Sequence, residues 1–433
     1  MSKLKNRNMG SILDLAIEAD MESEAEPTTT KAKETSSHIL SLMKESVDIA
    51  SENPGSFIAA KVTAYVPPAI LLRWTNSLRL VQESFNAVKD ATTQKTTRSA
   101  LAQALSKVFP TMTATTHLSG LGATDSSPID WIDVSNYFSF TNLKIRPAMF
   151  QVNSNSTTTN KLLQPITDAA DFATLDAVFA DLQALMAHAD AKNVKVMVDA
   201  EQTYFQRAID DIALTLSRTF NKKNNVVVFN TYQMYLKDGF QRLVTDWTRA
   251  HSRGDGNDGW SFGVKIVRGA YMTSERDRAK QLGYADPINA TIADTHASYN
   301  AAIDFLLQRL AAAAAATANG DGGSEQKLEF VVASHNKASV AKTVAAMQKY
   351  GVAPGNPQIS FAQLMGMQDG TSYALAANGY RCFKYVPYGP IEDTIPYLLR
   401  RAQENSSVLS GGAVEEDKKE LVAEISRRAA ASC

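Results

Sequence analysis

Cysteine and histidine are scarce in this sequence. Its two cysteines, Cys382 and Cys433, are too few for a disulfide framework and indicate a reducing compartment. The six histidines show no His-x-x-x-His spacing, and no Cys-x-x-Cys pair is present. These spacings are typical of zinc sites. The sequence therefore predicts no metal centre.

Long apolar runs and an excess of one charge are also absent. No window approaches the roughly 18 apolar residues of a membrane-spanning helix. The 44 basic and 45 acidic residues leave a formal net charge of -1, which gives no electrostatic basis for a nucleic-acid partner or for a membrane surface. Residues 1–5 have neither the apolar core of a secretion signal nor the Arg-rich pattern of an organelle presequence.

Common motifs of nucleotide binding and acyl transfer are missing as well. No Gly-x-Gly-x-x-Gly follows a predicted strand, and neither a P-loop nor a nucleophile elbow occurs. Acyl transfer and phosphoryl transfer therefore rank low as activities. The missing glycine fingerprint also weakens a doubly wound sheet, which is the alternative fold.

Eight short apolar runs separated by helical patterns dominate what is present. The runs cover 11–17, 57–65, 194–200, 226–232, 262–269, 328–334, 358–364 and 380–388, and helical patterns cover 30–52, 169–191, 206–219, 232–251, 288–314 and 338–350. Apolar strands that alternate with helices predict a (β/α)8 barrel. The Thr- and Ser-rich texture of 66–163 predicts a helical insertion with loops after the second strand, inside a single domain of residues 1–433.

Polar or charged side chains stand at the carboxyl ends of seven of the eight predicted strands. They include Lys61, Asp199, Gln233, Lys265, Arg268, His335, Gln363 and Tyr385. Function in a (β/α)8 barrel lies at this end of the strands. A mouth rich in cations and neutral donors suits an anionic cofactor and an anionic small substrate.

A helical pattern follows the Pro-Tyr-Gly-Pro turn that ends the last strand. Tyr397, Arg400, Arg401 and Glu404 have offsets 0, 3, 4 and 7, so they share one helix face. Adjacent guanidiniums repel each other unless an anion lies between them, and their planar fork suits a carboxylate. A solvated, salt-bridged face is the ordinary interpretation. The preceding strand and Tyr385 favour a carboxylate clamp beside the barrel mouth.

Several segments resemble the proline dehydrogenase (proline oxidase) family, the flavin enzymes of proline catabolism. They are 57–64 (FIAAKVTA), 198–205 (VDAEQTYF), 229–237 (FNTYQMYLK), 264–272 (VKIVRGAYM), 333–336 (ASHN), 363–367 (QLMGM), 385–390 (YVPYGP) and 397–405 (YLLRRAQEN). They run in family order over nearly the whole chain outside 66–163. The insertion, and Lys265 where bacterial members typically have arginine, resemble the eukaryotic mitochondrial branch.

The resemblance implies a distorted (β/α)8 barrel of the TIM type that holds FAD, with the helix of residues 390–405 closing the active site. It implies that Asp199 and Lys265 are catalytic, with Lys265 near flavin N5. The implied substrate-binding residues are Lys61, Leu364, Tyr385, Tyr397, Arg400, Arg401 and Glu404. The implied cofactor-binding residues are Ala200, Gln233, Arg268, Gly269, Ala270, Ser334 and His335.

The implied reaction is oxidation of L-proline to Δ1-pyrroline-5-carboxylate, by hydride transfer from C5 to flavin N5, with a quinone as electron acceptor. The branch implies a mitochondrial protein of the matrix or inner membrane, with peripheral membrane contact. Since no presequence is seen, the chain is expected to be a trimmed form.

Three other functions stay open at this stage. Hydroxyproline dehydrogenases belong to the same family. A Schiff-base (β/α)8 lyase could use Lys61 or Lys265 as its amine. A non-catalytic barrel that binds a metabolite would also need the clamp.

Overall fold

The computed structural model of the protein describes residues 2–17, 28–53, 55–112, 117–149, 161–222, 224–251, 259–318, 327–404, 418–419, 422–423 and 425–428. Its strands are β1 (Met9–Leu15), β2 (Phe57–Ala60), β3 (Thr96–Thr97), β4 (Pro128–Ile129), β5 (Lys195–Val198), β6 (Val228–Gln233), β7 (Phe262–Val267), β8 (Leu328–Ala333), β9 (Ile359–Leu364) and β10 (Cys382–Tyr388).

Eight of these strands form a closed, parallel barrel, which confirms the predicted architecture. Their order around the barrel is β1-β10-β9-β8-β7-β6-β5-β2, while β3 and β4 form a separate antiparallel pair. Closure comes from β1, which pairs with β2 on one side and with β10 on the other. In this register Asp14 lies opposite Ala59 and Pro387.

Helices surround the barrel. They are α1 (Ser2–Lys5), α2 (Thr29–Ser51), α3 (Pro68–Val88), α4 (Arg98–Ser106), α5 (Trp131–Tyr137), α6 (Arg146–Met149), α7 (Ala169–Ala191), α8 (Thr203–Phe220), α9 (Gly239–His251), α10 (Met272–Leu282), α11 (Ile292–Ala318), α12 (Lys337–Lys349), α13 (Asp369–Ala377) and α14 (Ile391–Glu404). Two 3-10 turns cover Val62–Ala64 and Lys161–Leu163. Within the described ranges, no helix combines the length and the apolar composition that a bilayer crossing requires.

The largest differences from the predicted bounds occur in two elements. The run 57–65 is a strand only to Ala60, because the next residues form the 3-10 turn Val62–Ala64. The helical pattern at 232–251 starts only at Gly239, since Tyr232 and Gln233 stay in β6. A Cβ atom at Gly239 would collide with the backbone of Gln233, so this tight turn requires glycine.

Aromatic side chains fill the barrel at the amino-terminal ends of its strands. Phe57 lies between Phe229 and Phe383, with ring centroids 5.4 and 4.9 Å away in edge-to-face geometry. This arrangement favours the opposite signs of ring edge and ring face. The same end holds Glu329, which is ion-paired with Lys195 and with Lys327.

The segment after β2 packs against the barrel's own helices. The Trp74 indole of α3 is fully buried and donates a hydrogen bond of 3.0 Å to Asp211 of α8. Arg73 forms two hydrogen bonds of 2.7 Å to Asp171 of α7. The apolar side chains of the segment after β2 share one hydrophobic cluster with strands β1, β2 and β5.

Candidate active site

The carboxyl ends of the strands bring four predicted site residues to one rim. Lys61 directly follows β2, Asp199 directly follows β5, and Lys265 and Tyr385 lie within β7 and β10. In a parallel barrel all of these ends face the same way. Both lysine side chains are almost completely buried. Such ammonium groups require compensating carboxylates.

Asp199 is the carboxylate at the centre of the first cluster. Its Oδ1 is ion-paired with Lys265 Nζ, and its Oδ2 accepts a hydrogen bond of 2.5 Å from the Tyr385 hydroxyl. Burial acts to raise the pKa of Asp199, but Lys265, Lys61 and the two hydrogen bonds outweigh it, so the pKa lies below its ordinary value. Burial, Asp14 and Asp199 raise the pKa of Tyr385, which stays a neutral donor.

Asp14 is the carboxylate of the second cluster, and the sequence analysis missed it. Its Oδ1 is ion-paired with Lys61 Nζ, and neither side chain reaches solvent to any extent. Among the described residues its Oδ2 has no hydrogen-bond partner. Burial raises the pKa of Asp14, opposed by Lys61 and reinforced by Asp199. The signal was a lone carboxylate inside the apolar run 11–17.

The 3-10 turn Val62–Ala64, which directly follows Lys61, is fixed by a neighbouring strand end. The Glu201 carboxylate accepts hydrogen bonds from the Thr63 backbone nitrogen at 3.2 Å and from the Thr63 hydroxyl at 2.7 Å. Gln233 in turn donates to the carbonyl of Glu201 at 2.7 Å. Gln233, a predicted cofactor residue, therefore also braces the turn below Lys61.

Helix α14 covers the Asp14 cluster with one aromatic side chain. Tyr397 is only 2% exposed, and its ring centroid lies 5.0 Å from Lys61 Nζ. The Arg401 guanidinium carbon lies 5.1 Å from the same ring and 5.9 Å from the Tyr271 ring. The backbones of Arg400 and Glu404 lie in α14, but their side chains are outside the described residues. Of the predicted guanidinium pair, the structure thus places Arg401.

The charges of the two rim clusters balance each other without any contribution from α14. Two lysines face two carboxylates at the rim, so the pairs carry no net charge. Arg401 adds a cation from the closing helix. At these two pairs, an anionic ligand would therefore be attracted by Arg401 of the helix rather than by the lysines.

Arg268 organises a second polar group on the same rim. It donates hydrogen bonds to His296 Nδ1 at 3.1 Å, Ser334 Oγ at 2.7 Å and Ser339 Oγ at 2.8 Å. Its guanidinium also lies 4.2 Å from the Tyr299 ring centroid. Burial lowers the pKa of Arg268. His296 and Ser339 were missed by the sequence analysis, because helices α11 and α12 bring them to Arg268 only in the folded barrel.

The other predicted cofactor residues follow the ends of β5, β7 and β8. His335 Nε2 accepts a hydrogen bond of 3.0 Å from the backbone nitrogen of Leu364, so the proton of the neutral ring is on Nδ1. Gly269 has φ of 142°, and a Cβ atom there would collide with the Tyr235 ring. Ala200 and Ala270 are partly buried next to Asp199 and Gly269.

Sequence comparison finds relatives that are named for one reaction type. A family model described as proline dehydrogenase matches residues 1–412. Proline dehydrogenase 1, mitochondrial, of Drosophila melanogaster is 42% identical over 236 residues, which are 54% of this chain and 33% of that protein. Hydroxyproline dehydrogenase of Xenopus laevis is 41% identical over 236 residues, 54% of this chain and 47% of that protein. The chain thus spans less than half the length of these two relatives.

Comparison with solved structures finds the same barrel. Proline utilization A from Bdellovibrio bacteriovorus, solved after inactivation by N-propargylglycine, aligns with a TM-score of 0.57 and 17% sequence identity. The alignment covers 94% of this chain and 31% of that protein. At this identity the likeness shows the shared fold alone.

Proposed function

The chain belongs to the proline dehydrogenase family, and from that premise we propose that it oxidises L-proline to Δ1-pyrroline-5-carboxylate with FAD as the hydride acceptor. The observation that carries the proposal is the rim itself. Two lysine–carboxylate pairs lie under a helix that adds a buried tyrosine and an arginine. A small cyclic amino acid presents a carboxylate, an amine and an apolar ring to such a site.

We assign the substrate carboxylate to the closing helix. Arg401 supplies the placed guanidinium, Arg400 is the second member of the clamp by its sequence position, and Lys61 lies against the Tyr397 ring that Arg401 also contacts. A bidentate arginine fixes a carboxylate in direction as well as in distance. Tyr385, Tyr397 and Leu364 pack against the substrate ring, and Glu404 completes the site from the last turn of α14.

The residues after β7 and β8 fit the implied cofactor. FAD is anionic and has a flat ring system, so it requires cations, neutral donors and positions without bulky side chains. The rim offers Arg268, Ser334 and His335 as donors. Gln233, Gly269, Ala270 and the backbone at Ala200 complete this set. When bound, FAD supplies a two-electron acceptor for the hydride that leaves proline C5.

The chain's own groups hold protons and charges during the reaction. Proline reacts with a neutral ring nitrogen, whose lone pair forms the C=N bond as hydride leaves C5. The Asp199 carboxylate stays ionised, since its pKa is lowered, and the Tyr385 hydroxyl keeps its proton on Oη. Asp199 and Lys265 therefore align the reacting centre, and the Asp199 carboxylate balances its developing positive charge. Activity is expected to rise toward alkaline pH, because more of the free proline is neutral at nitrogen.

The decisive test is a visible spectrum of the purified, FAD-loaded protein before and after anaerobic addition of L-proline. The proposal requires a flavin spectrum that bleaches with proline and recovers with a soluble quinone. A protein that takes up no FAD, or whose flavin is unchanged by proline, would exclude it.

Hydroxyproline is the second candidate substrate, because a relative with 41% identity is named hydroxyproline dehydrogenase. The values of kcat/KM for L-proline and trans-4-hydroxy-L-proline, measured side by side, decide between the two. Proline is our choice because the half-buried Tyr385 and the buried Tyr397 offer aromatic walls that suit an unsubstituted ring.

A Schiff-base lyase is disfavoured by the ion pairs. Its lysine must be unprotonated, in an apolar or cation-lined pocket. Lys61 and Lys265 instead lie beside Asp14 and Asp199. Borohydride trapping of a substrate adduct would reveal such a lysine, and flavin reduction by proline would exclude a barrel that only binds a metabolite.

The cellular setting is proposed from the relatives. Several are named mitochondrial proline dehydrogenases, so we place this chain in the mitochondrion. We propose a membrane quinone as electron acceptor and a peripheral contact with the inner membrane. Fractionation of mitochondria, with detection of the protein in the matrix and membrane fractions, tests the placement.

A further inference from the structure

Asp14 is a buried carboxylate in the middle of the rim to which the proposed reaction assigns no role. Its residue is 0% exposed, so solvent does not reach it. One oxygen is held by Lys61, the other has no hydrogen bond of good geometry among the described residues, and the nearby Tyr397 hydroxyl acts to lower the pKa of Asp14. A carboxylate left half-satisfied in a buried site is costly to keep. We therefore expect the Asp14 carboxylate to position the side chains next to it.

Its neighbours come from opposite sides of the site. Lys61 pairs with Asp14 from the barrel wall, and Tyr397 of the closing helix packs against the Lys61 ammonium. The Lys61 ammonium lies 5.0 Å from the Tyr397 ring centroid, a distance at which a cation is attracted to an aromatic face. The pKa of Tyr397 is raised by burial and then by the Asp14 carboxylate. The three side chains therefore form one contact group between β1, the end of β2 and α14.

We propose that Asp14 is a positioning residue that holds Lys61 and Tyr397 together, and so fixes helix α14 over the barrel mouth. The inference rests on the proposed function, because Lys61 and Tyr397 are substrate-contact residues only there. The ion pair fixes the ammonium under the tyrosine ring, and that ring carries the helix that presents Arg401 to the substrate carboxylate. Asp14 touches no reacting atom and acts through these two side chains.

The test is a double-mutant cycle on kcat/KM for L-proline. Asp14→Asn keeps the shape of the side chain and removes its charge. In the otherwise wild-type protein it is expected to lower kcat/KM about 10- to 100-fold, the range for a lost hydrogen bond to a charged group. In a Lys61→Met, Tyr397→Phe background the same change should cost less than about threefold, because the Lys61 ammonium, through which Asp14 holds the aromatic ring, is gone.

Glu329→Gln is the matched control. Glu329 is also a buried carboxylate paired with lysine, but it lies at the opposite end of the barrel. It is expected to lower Tm and to leave kcat/KM unchanged. General loss of stability is thereby separated from loss of positioning.

Two outcomes would overturn the proposal. One is an Asp14→Asn protein with wild-type kcat/KM, and the other is a cost of Asp14→Asn that is equal in both backgrounds. If Asp14→Asn does not fold, Lys61→Met, Tyr397→Phe and their double variant take its place. The proposal then requires that their effects do not add, and additive effects contradict it.

Failure of the proposed function would look different. In that case L-proline would leave the wild-type flavin oxidised. The double-mutant cycle can then be measured by the Tm of each variant. Non-additive changes in Tm support the contact group, and additive changes reject it.

Discussion

The two ends of the barrel each hold a buried carboxylate beside lysine side chains. At the amino-terminal end both oxygens of Glu329 are used, one by Lys195 and one by Lys327 at 2.8 Å. Three packed phenylalanines close the barrel next to this pair. At the carboxyl-terminal end Asp14 uses one oxygen only, and tyrosines and a separate helix replace the phenylalanines.

The difference indicates how one type of ion pair serves two purposes. A carboxylate whose two oxygens are both paired, next to packed aromatic side chains, adds stability and has no oxygen left for a ligand. A ring of paired charges under a helix keeps a cationic, aromatic surface ready for a small anion. Substitutions at the two ends should therefore separate into effects on activity and effects on stability.

The largest effect on activity is expected from the clamp. Arg401→Ala should lower kcat/KM for L-proline by a factor that corresponds to about 2–5 kcal/mol of transition-state free energy. The reason is that the substrate carboxylate loses a charged partner. Arg400→Ala is expected to act similarly from its sequence position. Arg381→Ala is the control, since Arg381 lies at the amino-terminal end and donates to the carbonyl of Pro357. Wild-type kcat/KM in both clamp variants would show that the clamp assignment is wrong.

The next largest effect concerns the amino-terminal end. Glu329→Ala leaves Lys195 buried without its carboxylate, so it should lower the free energy of unfolding by about 3 kcal/mol. Urea denaturation followed by tryptophan fluorescence measures this loss. The flavin should still bleach with proline at low temperature. A fall in kcat/KM without a fall in stability would reverse the roles assigned to the two ends.

Most of the described residues at the carboxyl-terminal rim could be predicted from the sequence, but not all of them. Lys61, Asp199, Lys265 and Tyr385 were predicted for one rim, because parallel strands in a closed barrel place their carboxyl ends together. Asp199 contacts Lys265 and Tyr385, whereas Lys61 is paired with Asp14, and the roles of all four stay predictions. Asp14 was missed because a single carboxylate inside an apolar strand gives no local signal of its partner.

Contacts that depend on strand register or on the packing of distant helices could not be predicted from the sequence either. The pairing of β1 with both β2 and β10 puts Asp14 beside Lys61, and this register depends on closure of the whole barrel. The hydrogen bonds of Arg268 to His296 and Ser339 depend on how α11 and α12 pack. Periodicity identifies such helices without fixing which residues meet.

A smaller effect should distinguish two tyrosine–carboxylate hydrogen bonds. Tyr385→Phe removes the 2.5 Å bond to Asp199 and should lower kcat/KM by about 1.5 kcal/mol, roughly tenfold. Tyr232→Phe is the matched control, because its hydroxyl donates to Asp246 at 2.9 Å beside α9. The control should lose stability and keep activity. Equal losses of kcat/KM in the two variants would contradict a special role for the rim.

The smallest effect separates the two carboxylates of the rim by pH. The pKa of native Asp199 lies below its ordinary value near 3.8, so Asp199 adds stability above that value and loses it as pH falls through the native pKa. The pKa of native Asp14 is raised, so its contribution is complete below 3.8 and is lost as pH rises through the native pKa. The two groups therefore give stability opposite slopes with pH.

Each slope can be removed by one substitution. Just above pH 3.8, Asp14→Asn should make Tm rise more steeply with pH than in the wild-type protein. Just below pH 3.8, Asp199→Asn should make Tm fall less steeply as pH decreases. Differences on the order of 1 °C are expected, and calorimetry from pH 3 to pH 6 resolves them. If both variants changed the slope in the same direction, the two halves of the rim would share one electrostatic environment, and the assigned split between Asp14 and Asp199 would be wrong.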